Sequence, residues 1–242
     1  MGCTLTRRRS SRGPAHEPDP TASLWGAPSP GESRWPGGIA VAVVIALQLL
    51  LPEPLSFGPR IVLPIVELVL LITLVVANPN RFDEESREIR KVSVGLVVVI
   101  SAANAAALGL LIGQLVHSTS TLTGSTLMYS AVAIWATNIV TFGIWYWEID
   151  RGGPIRRCMA DHPRPDFIFP QMENPGVTDR PWSPVFFDYL YVSLTNSTAF
   201  SPTDTLPLTH RAKLLMSLQG VASLATIAIL TARGVNILSG SK

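Results

Sequence analysis

The chain has 242 residues, 47% of them hydrophobic and 15% charged, with a formal net charge of +2, against roughly 25% charged in an ordinary soluble domain. Its mean hydropathy is +0.32, and its apolar residues gather into blocks separated by charged punctuation, the pattern of a multi-pass membrane protein. These features exclude a secreted disulfide scaffold, a nucleic-acid-binding domain and most soluble enzyme folds. Cys3 and Cys158 stand far apart in unlike surroundings and suggest neither a disulfide frame nor a metal cluster.

Residues 1–36 carry Pro14, Pro18, Pro20, Pro28, Pro30 and Pro36 among Arg, Ser, Gly and acids, with little to bury, and read as a disordered cytoplasmic tail. Met1-Gly2-Cys3 fits a myristoylation signal formally, but the Arg-rich, Ala-, Gly- and Pro-rich composition is of a bacterial kind, so the match is read as chance. Arg7-Arg8-Arg9 is followed by no apolar region for nearly 30 residues and starts no cleaved signal.

The first apolar block, Gly37–Leu51, spans about 22 Å at 1.5 Å per residue, and needs Pro52–Phe57 to reach the far side of a membrane core of about 30 Å. The second, Ile61–Asn78, holds Glu67 within an aliphatic run. The third, Val92–His117, has a small-residue face of Ser101, Ala102, Asn104, Ala105, Ala106, Gly109 and Gly113, suited to close approach by another helix. The fourth, Ser125–Trp147, ends in Trp145-Tyr146-Trp147, read as an interfacial aromatic belt. The fifth is Leu214–Leu230. Residues 37–147 thus form a four-helix transmembrane region, 148–182 a Pro-rich cytoplasmic loop, and 183–238 a half-helix, a polar turn and the last transmembrane helix.

Basic residues number five in 1–36, one in 52–60, four in 79–91, none in 118–124 and five in 148–182. Because short loops rich in Arg and Lys stay in the cytoplasm, the alternation places the N-terminus and the 79–91 and 148–182 segments on that side. The expected location is the cell membrane.

Val185–Leu194 is too short to span and too aromatic to be a solvated loop, and a polar run follows it. Ten to fourteen apolar residues indicate an interfacial or re-entrant element, and a polar turn at membrane depth must be buried in protein or line a wet cavity. Ser193-Leu194-Thr195-Asn196-Ser197-Thr198-Ala199-Phe200-Ser201-Pro202-Thr203-Asp204, preceded by a short aromatic helix and followed by a long helix with Gly220 near its middle, resembles the pore helix and filter loop of two-helix potassium-channel modules. The run has no glycine, however, and a carbonyl-lined filter requires glycines.

The chain also resembles a family of uncharacterised bacterial multi-pass membrane proteins, a domain of unknown function, through Asp188–Tyr191, Thr195–Asp204, Ala212–Met216, Trp145–Glu148 and Asp150–Pro154. That resemblance covers roughly residues 37–238 and implies a membrane location without an established activity.

The fold class expected is all-α, a polytopic helical membrane bundle with about five transmembrane helices and one re-entrant or interfacial half-helix at about 185–195. Two functions stay open. One is an oligomeric, channel-like cation pore, with Thr195, Asn196, Ser197 and Thr198 replacing part of an ion's hydration shell and Asp204 concentrating cations at the mouth. The other is a non-catalytic structural or partner-binding membrane protein. Glu67 is a functional candidate as an intramembrane acid, with snorkelling or pairing near Arg60 as the plain alternative. Asn104, Gln114, Asn138 and Gln219 line a hydrophilic path or hold helices together, and Glu148 and Asp150 read as interface acids near Arg151. Thr203-Asp204-Thr205 also reads as a turn and cap before the last helix. His16, His117, His162 and His210 lie in separate segments, and no nucleophile or phosphate-loop motif occurs. No catalytic residue, cofactor, metal or nucleic acid is expected. The expected partners are the lipid bilayer, further copies of the chain and monovalent cations.

Overall fold

The computed structural model describes residues 35–56, 58–76, 87–116, 122–158, 163–173, 182–198 and 204–239. The expected tail, most of it in residues 1–34, and residues 199–203 of the polar run lie outside them. The helices are α1 (Trp35–Leu49), α2 (Val62–Val76), α3 (Arg87–Val116), α4 (Gly124–Ile149), the single turn α5 (Pro170–Glu173), α6 (Phe186–Thr198) and α7 (His210–Ser239). Among the described residues the chain is all-α apart from β1 (Phe167–Ile168) and β2 (Leu206–Pro207), an antiparallel pair with Phe167 opposite Pro207. Three stretches are long and apolar enough to cross a membrane, Arg90–Leu115, Gly124–Gly152 and His210–Ala232, while α1 and the apolar part of α2 are shorter. The expected five spans are thus three long helices and two of 15 residues each, about 22 Å long.

Helix α4 is the centre, packed by α1, α3, α6 and α7, whereas α2 rests on α1 and α3. It is apolar on nearly all sides, as a helix surrounded by others must be. At its C-terminal end Val41, Val44, Leu96, Val97, Ile100, Tyr146 and Trp147 form one core cluster with Phe167, Phe186 and Tyr189. At the opposite end Leu51, Leu55, Ala107, Leu111, Leu127, Ala131 and Ile134 form a second. Leu51 and Leu55 lie in the connection that follows α1, so that connection extends the short helix by burying side chains against α3 and α4. The outward faces are aliphatic too: Leu214, Leu218, Val221 and Leu224 on α7, and Ile65, Val69 and Ile72 on α2, are all more than half exposed, the distribution expected where hydrocarbon is the solvent.

Two sequence expectations change. Trp145-Tyr146-Trp147 is no lipid-facing belt: Tyr146 and Trp147 are buried in the core, and Trp145 Nε1 donates to Ser101 Oγ at 2.8 Å. The small-residue face of α3 admits no neighbouring helix at Gly109 or Gly113, where an added Cβ would meet nothing within 4 Å. The close approach is elsewhere, at Gly143 of α4, whose added Cβ would lie 3.2 Å from Leu190 Cα and 3.1 Å from Leu190 Cδ1. That contact sets α6 tightly against α4.

Candidate functional site

Helix α6 starts at the C-terminal end of α4, where Phe186 meets Trp147 edge to face at 5.8 Å, and descends antiparallel to α4. Leu190 reaches Gly143, and Ser193 Oγ donates to the Ile139 carbonyl at 2.6 Å. At 13 residues it is about 20 Å long, and by Leu206 the chain has returned to the end where it began, paired with Ile168. The expected half-helix is therefore present as a helix, but longer than 185–195. Thr195–Thr198, expected in a turn, form its last turn.

The reason lies in how its hydroxyls are satisfied. Thr195 Oγ1 donates to the Tyr191 carbonyl at 2.9 Å and Thr198 Oγ1 to the Thr195 carbonyl at 3.1 Å, the local back-bonding that lets Ser and Thr remain helical away from water. Asn196 and Ser197 turn inward to Gln219 of α7, which is fully buried. Gln219 Nε2 donates to Ser193 Oγ and Ser197 Oγ, both at 2.6 Å, and to the Ser193 carbonyl at 2.9 Å. Gln219 Oε1 accepts from Asn196 Nδ2 at 2.9 Å and from Tyr146 Oη at 2.5 Å. One turn further along α7, Asn138 Nδ2 donates to Ser223 Oγ at 2.9 Å. A polar seam thus joins α4, α6 and α7, and Asn138 and Gln219 act as interhelical fasteners. Gly220 has no role in it, since a Cβ there meets nothing within 4 Å.

A second polar cluster closes the same end of the bundle. Immediately after α4, Arg151 (φ 53°), Gly152 (φ 83°) and Gly153 (φ 101°) take three successive left-handed conformations, which only glycine adopts without cost. At Gly153 a Cβ would also press on the Glu148 carbonyl at 3.2 Å. The turn carries Asp150 fully inside, where Oδ1 accepts from the Asp166 amide at 2.7 Å and the Phe167 amide at 3.4 Å, and Oδ2 from Tyr189 Oη at 2.6 Å. Asp166, also fully buried, is held by Arg211 Nε at 2.6 Å, Arg211 Nη2 at 2.7 Å, Thr209 Oγ1 at 2.6 Å and the Arg151 amide at 3.2 Å. The fork geometry of Arg211 suits a planar carboxylate.

Arg157 lies underneath, with Nη1 donating to the Trp147 carbonyl at 2.7 Å and the Asp150 carbonyl at 3.2 Å. Its guanidinium stacks 5.1 Å from the Tyr189 ring centre. A cation on the last carbonyls of a helix satisfies their orphan acceptors and meets the negative dipole end. Burial, opposed by the charge of Arg157 and reinforced by Asp150, holds the Tyr189 phenol well above its ordinary range, so Tyr189 stays the donor. The cluster extends to α3, where Ser93 Oγ donates to Glu148 Oε1 at 2.7 Å and Arg90 Nη1 donates to the Gly152 carbonyl.

Chemically, the Asp166 carboxylate accepts four hydrogen bonds and that of Asp150 three. Among the described residues no three His, Cys, Asp or Glu side chains gather as metal ligands. Glu148 and Asp150 face different partners, as their spacing of two requires. The cap of the last helix is Thr209, whose Oγ1 accepts from the Ala212 amide at 3.3 Å, instead of the expected Thr203-Asp204-Thr205.

Of the residues singled out in the sequence, Asn196 and Ser197 come together on Gln219, while Thr195 and Thr198 bond to their own helix. Asp204 is exposed beside β2, and Glu67 sits in α2, near the other end of the bundle. Glu67 neither snorkels nor pairs with Arg60: it is fully buried on the inward stripe of α2, with Oε1 accepting from Gln48 Nε2 at 3.0 Å, while Arg60 donates to the Leu49 carbonyl. Glu67 Oε2 has no hydrogen-bond partner among the described residues. Sequence reasoning missed Asp166, Tyr189, Arg157 and Arg211; the paired glycines after Asp150 were the available signal. Compared with protein-family models, curated proteins and solved structures, the chain matches none.

Proposed function

We propose that this chain is a non-catalytic structural or partner-binding integral membrane protein, whose re-entrant helix α6 braces the bundle and whose Asp150–Asp166–Arg211 cluster stiffens the face presented at the cytoplasmic end. The observation that carries this reading is Gln219, which engages Asn196 Nδ2 and Ser197 Oγ in bonds between helices, so that both residues serve to hold α6 to α7. Arg90, Lys91, Arg151, Arg156, Arg157 and Arg211 lie at that end, and basic residues favour the cytoplasmic side. In intact cells, with Cys3 and Cys158 replaced by serine, maleimide labels Ser125→Cys and reaches Asp204→Cys only after permeabilisation; the reverse pattern inverts the orientation.

The second reading, an oligomeric cation pore, draws support from the re-entrant path of α6, which enters and leaves at one end as pore helices do. Flux of potassium, sodium and chloride through purified protein in liposomes separates the two. The bracing reading expects no flux above empty liposomes; cation flux abolished by Asn196→Ala or Asp204→Ala establishes the pore.

A further inference from the structure

At the end of the bundle opposite the aspartate cluster, a groove of about 640 Å³ opens between the end of α1, the connection that follows it, and the first half of α4. Its rim is polar, with Arg60, Thr126, Tyr129 and Ser130, and its floor is aliphatic, with Leu47, Val132, Ala133 and Ala136 among its lining residues. Arg60 is the sole basic residue between Trp35 and Val76, and its bond to the Leu49 carbonyl fixes the guanidinium at the rim with further N–H groups of its fork to spare. The rim is also the N-terminal end of the 26-residue α4, which has no acidic residue in its first turn, so the helix dipole adds positive potential where Arg60 places its charge. Glu53, next to the lining residue Pro52, does not line the groove.

We propose that this groove is a binding site for one anionic phospholipid, its phosphate on Arg60 at the α4 N-terminus and one acyl chain along Val132, Ala133 and Ala136. The assignment rests on the membrane reading above and on charge complementarity. A cationic, hydroxyl-bearing rim that passes into an aliphatic floor repeats the order of polarity in a phospholipid. From Thr126 to Ala136 the floor runs about 15 Å along the helix, room for most of one acyl chain. Tyr129, 77% exposed, stands at the rim as amphipathic rings do at headgroup level.

The test is native mass spectrometry of the full-length chain in mild detergent with added phosphatidylglycerol or phosphatidylethanolamine of matched chains. The expected result is one phosphatidylglycerol bound about tenfold more tightly than phosphatidylethanolamine, with Arg60→Gln removing that preference. Ala133→Phe, which fills the floor without touching the charge, weakens both lipids, and glycerol phosphate without acyl chains does not compete. Equal affinity for the two lipids in the wild type, a preference unchanged in Arg60→Gln, or affinities unchanged in Ala133→Phe overturns the site. Release of the chain from membranes by alkaline carbonate would refute the membrane reading itself, independently of any lipid preference.

Discussion

Replacing Asp150 with alanine is expected to destabilise the protein by about 3–5 kcal/mol, the range found when one partner of a buried ionic network is removed. Asp150 and Tyr189 are both inaccessible to solvent, and the 2.6 Å bond from Tyr189 Oη has no replacement acceptor at hand. The variant leaves a buried phenol and the Asp166 and Phe167 amides without the carboxylate they donate to, each costing about 1–3 kcal/mol. Tyr189→Phe alone removes one donor and costs about 1–2 kcal/mol. Added to Asp150→Ala it costs little more, because the donor it deletes is already stranded. Reversible unfolding of purified protein in mixed micelles measures all three. A loss below about 1 kcal/mol for Asp150→Ala, or additive losses in the double variant, would show that the cluster is not one network.

The large elements were legible because hydropathy reports burial from water and little else. All five apolar blocks became helices, and Val185–Leu194, too short and too aromatic to span, became the body of α6. Hydropathy misplaced the end of that helix because it scores Thr195, Asn196, Ser197 and Thr198 as polar and assigns them to a turn. Two of the four spend their hydroxyls on their own helix, and the other two, Asn196 through its side-chain amide and Ser197 through its hydroxyl, bond Gln219. Trp145-Tyr146-Trp147 failed differently. Aromatic residues at a helix end fit an interface or an aromatic core equally well, and the choice was made by Phe167, Phe169 and Phe186, which arrive from distant sequence to pack around Tyr146, Trp147 and Tyr189.

The charged cluster was the least legible part of the molecule. Asp150 and Asp166 lie in a stretch whose mixed charges and prolines read as a solvated loop, and nothing local marks either as buried. Their burial follows from pairing across long sequence separations, with Arg211 45 positions from Asp166 and Tyr189 39 positions from Asp150. Glu67 shows the same limit on a smaller scale. Its nearest basic residue in sequence is Arg60, yet the inward stripe of α2 turns it to Gln48 on α1, and a one-dimensional reading has no means of preferring an amide 19 positions away.

The seam around Gln219 yields the second large effect. Gln219→Leu is expected to destabilise the protein by about 2–4 kcal/mol, since it deletes five interhelical bonds, each worth on average about 0.6 kcal/mol in a membrane interior, and strands Tyr146 Oη and Ser197 Oγ in a buried site, whereas Ser193 keeps the Ile139 carbonyl and Asn196 the Met216 carbonyl. The replacement is of similar size and apolar, so packing against α4 and α6 is largely kept and the loss reports polar satisfaction more than volume. Gln219→Glu keeps an acceptor for Asn196 and Tyr146 but removes the donor to Ser193 and Ser197, and is expected to fall between the wild type and Gln219→Leu. The damage has an address. Hydrogen exchange in Gln219→Leu should rise through Phe186–Thr198, because α6 is joined to α7 chiefly through this residue, while the amides of α1 to α3, which do not touch the seam, keep their protection. Uniform acceleration across all helices would mean that Gln219 supports the whole bundle. No change in α6 would mean that the Gly143–Leu190 contact and the aromatic packing at Phe186 and Tyr189 suffice to hold α6, with the hydrogen bonds adding satisfaction but no restraint.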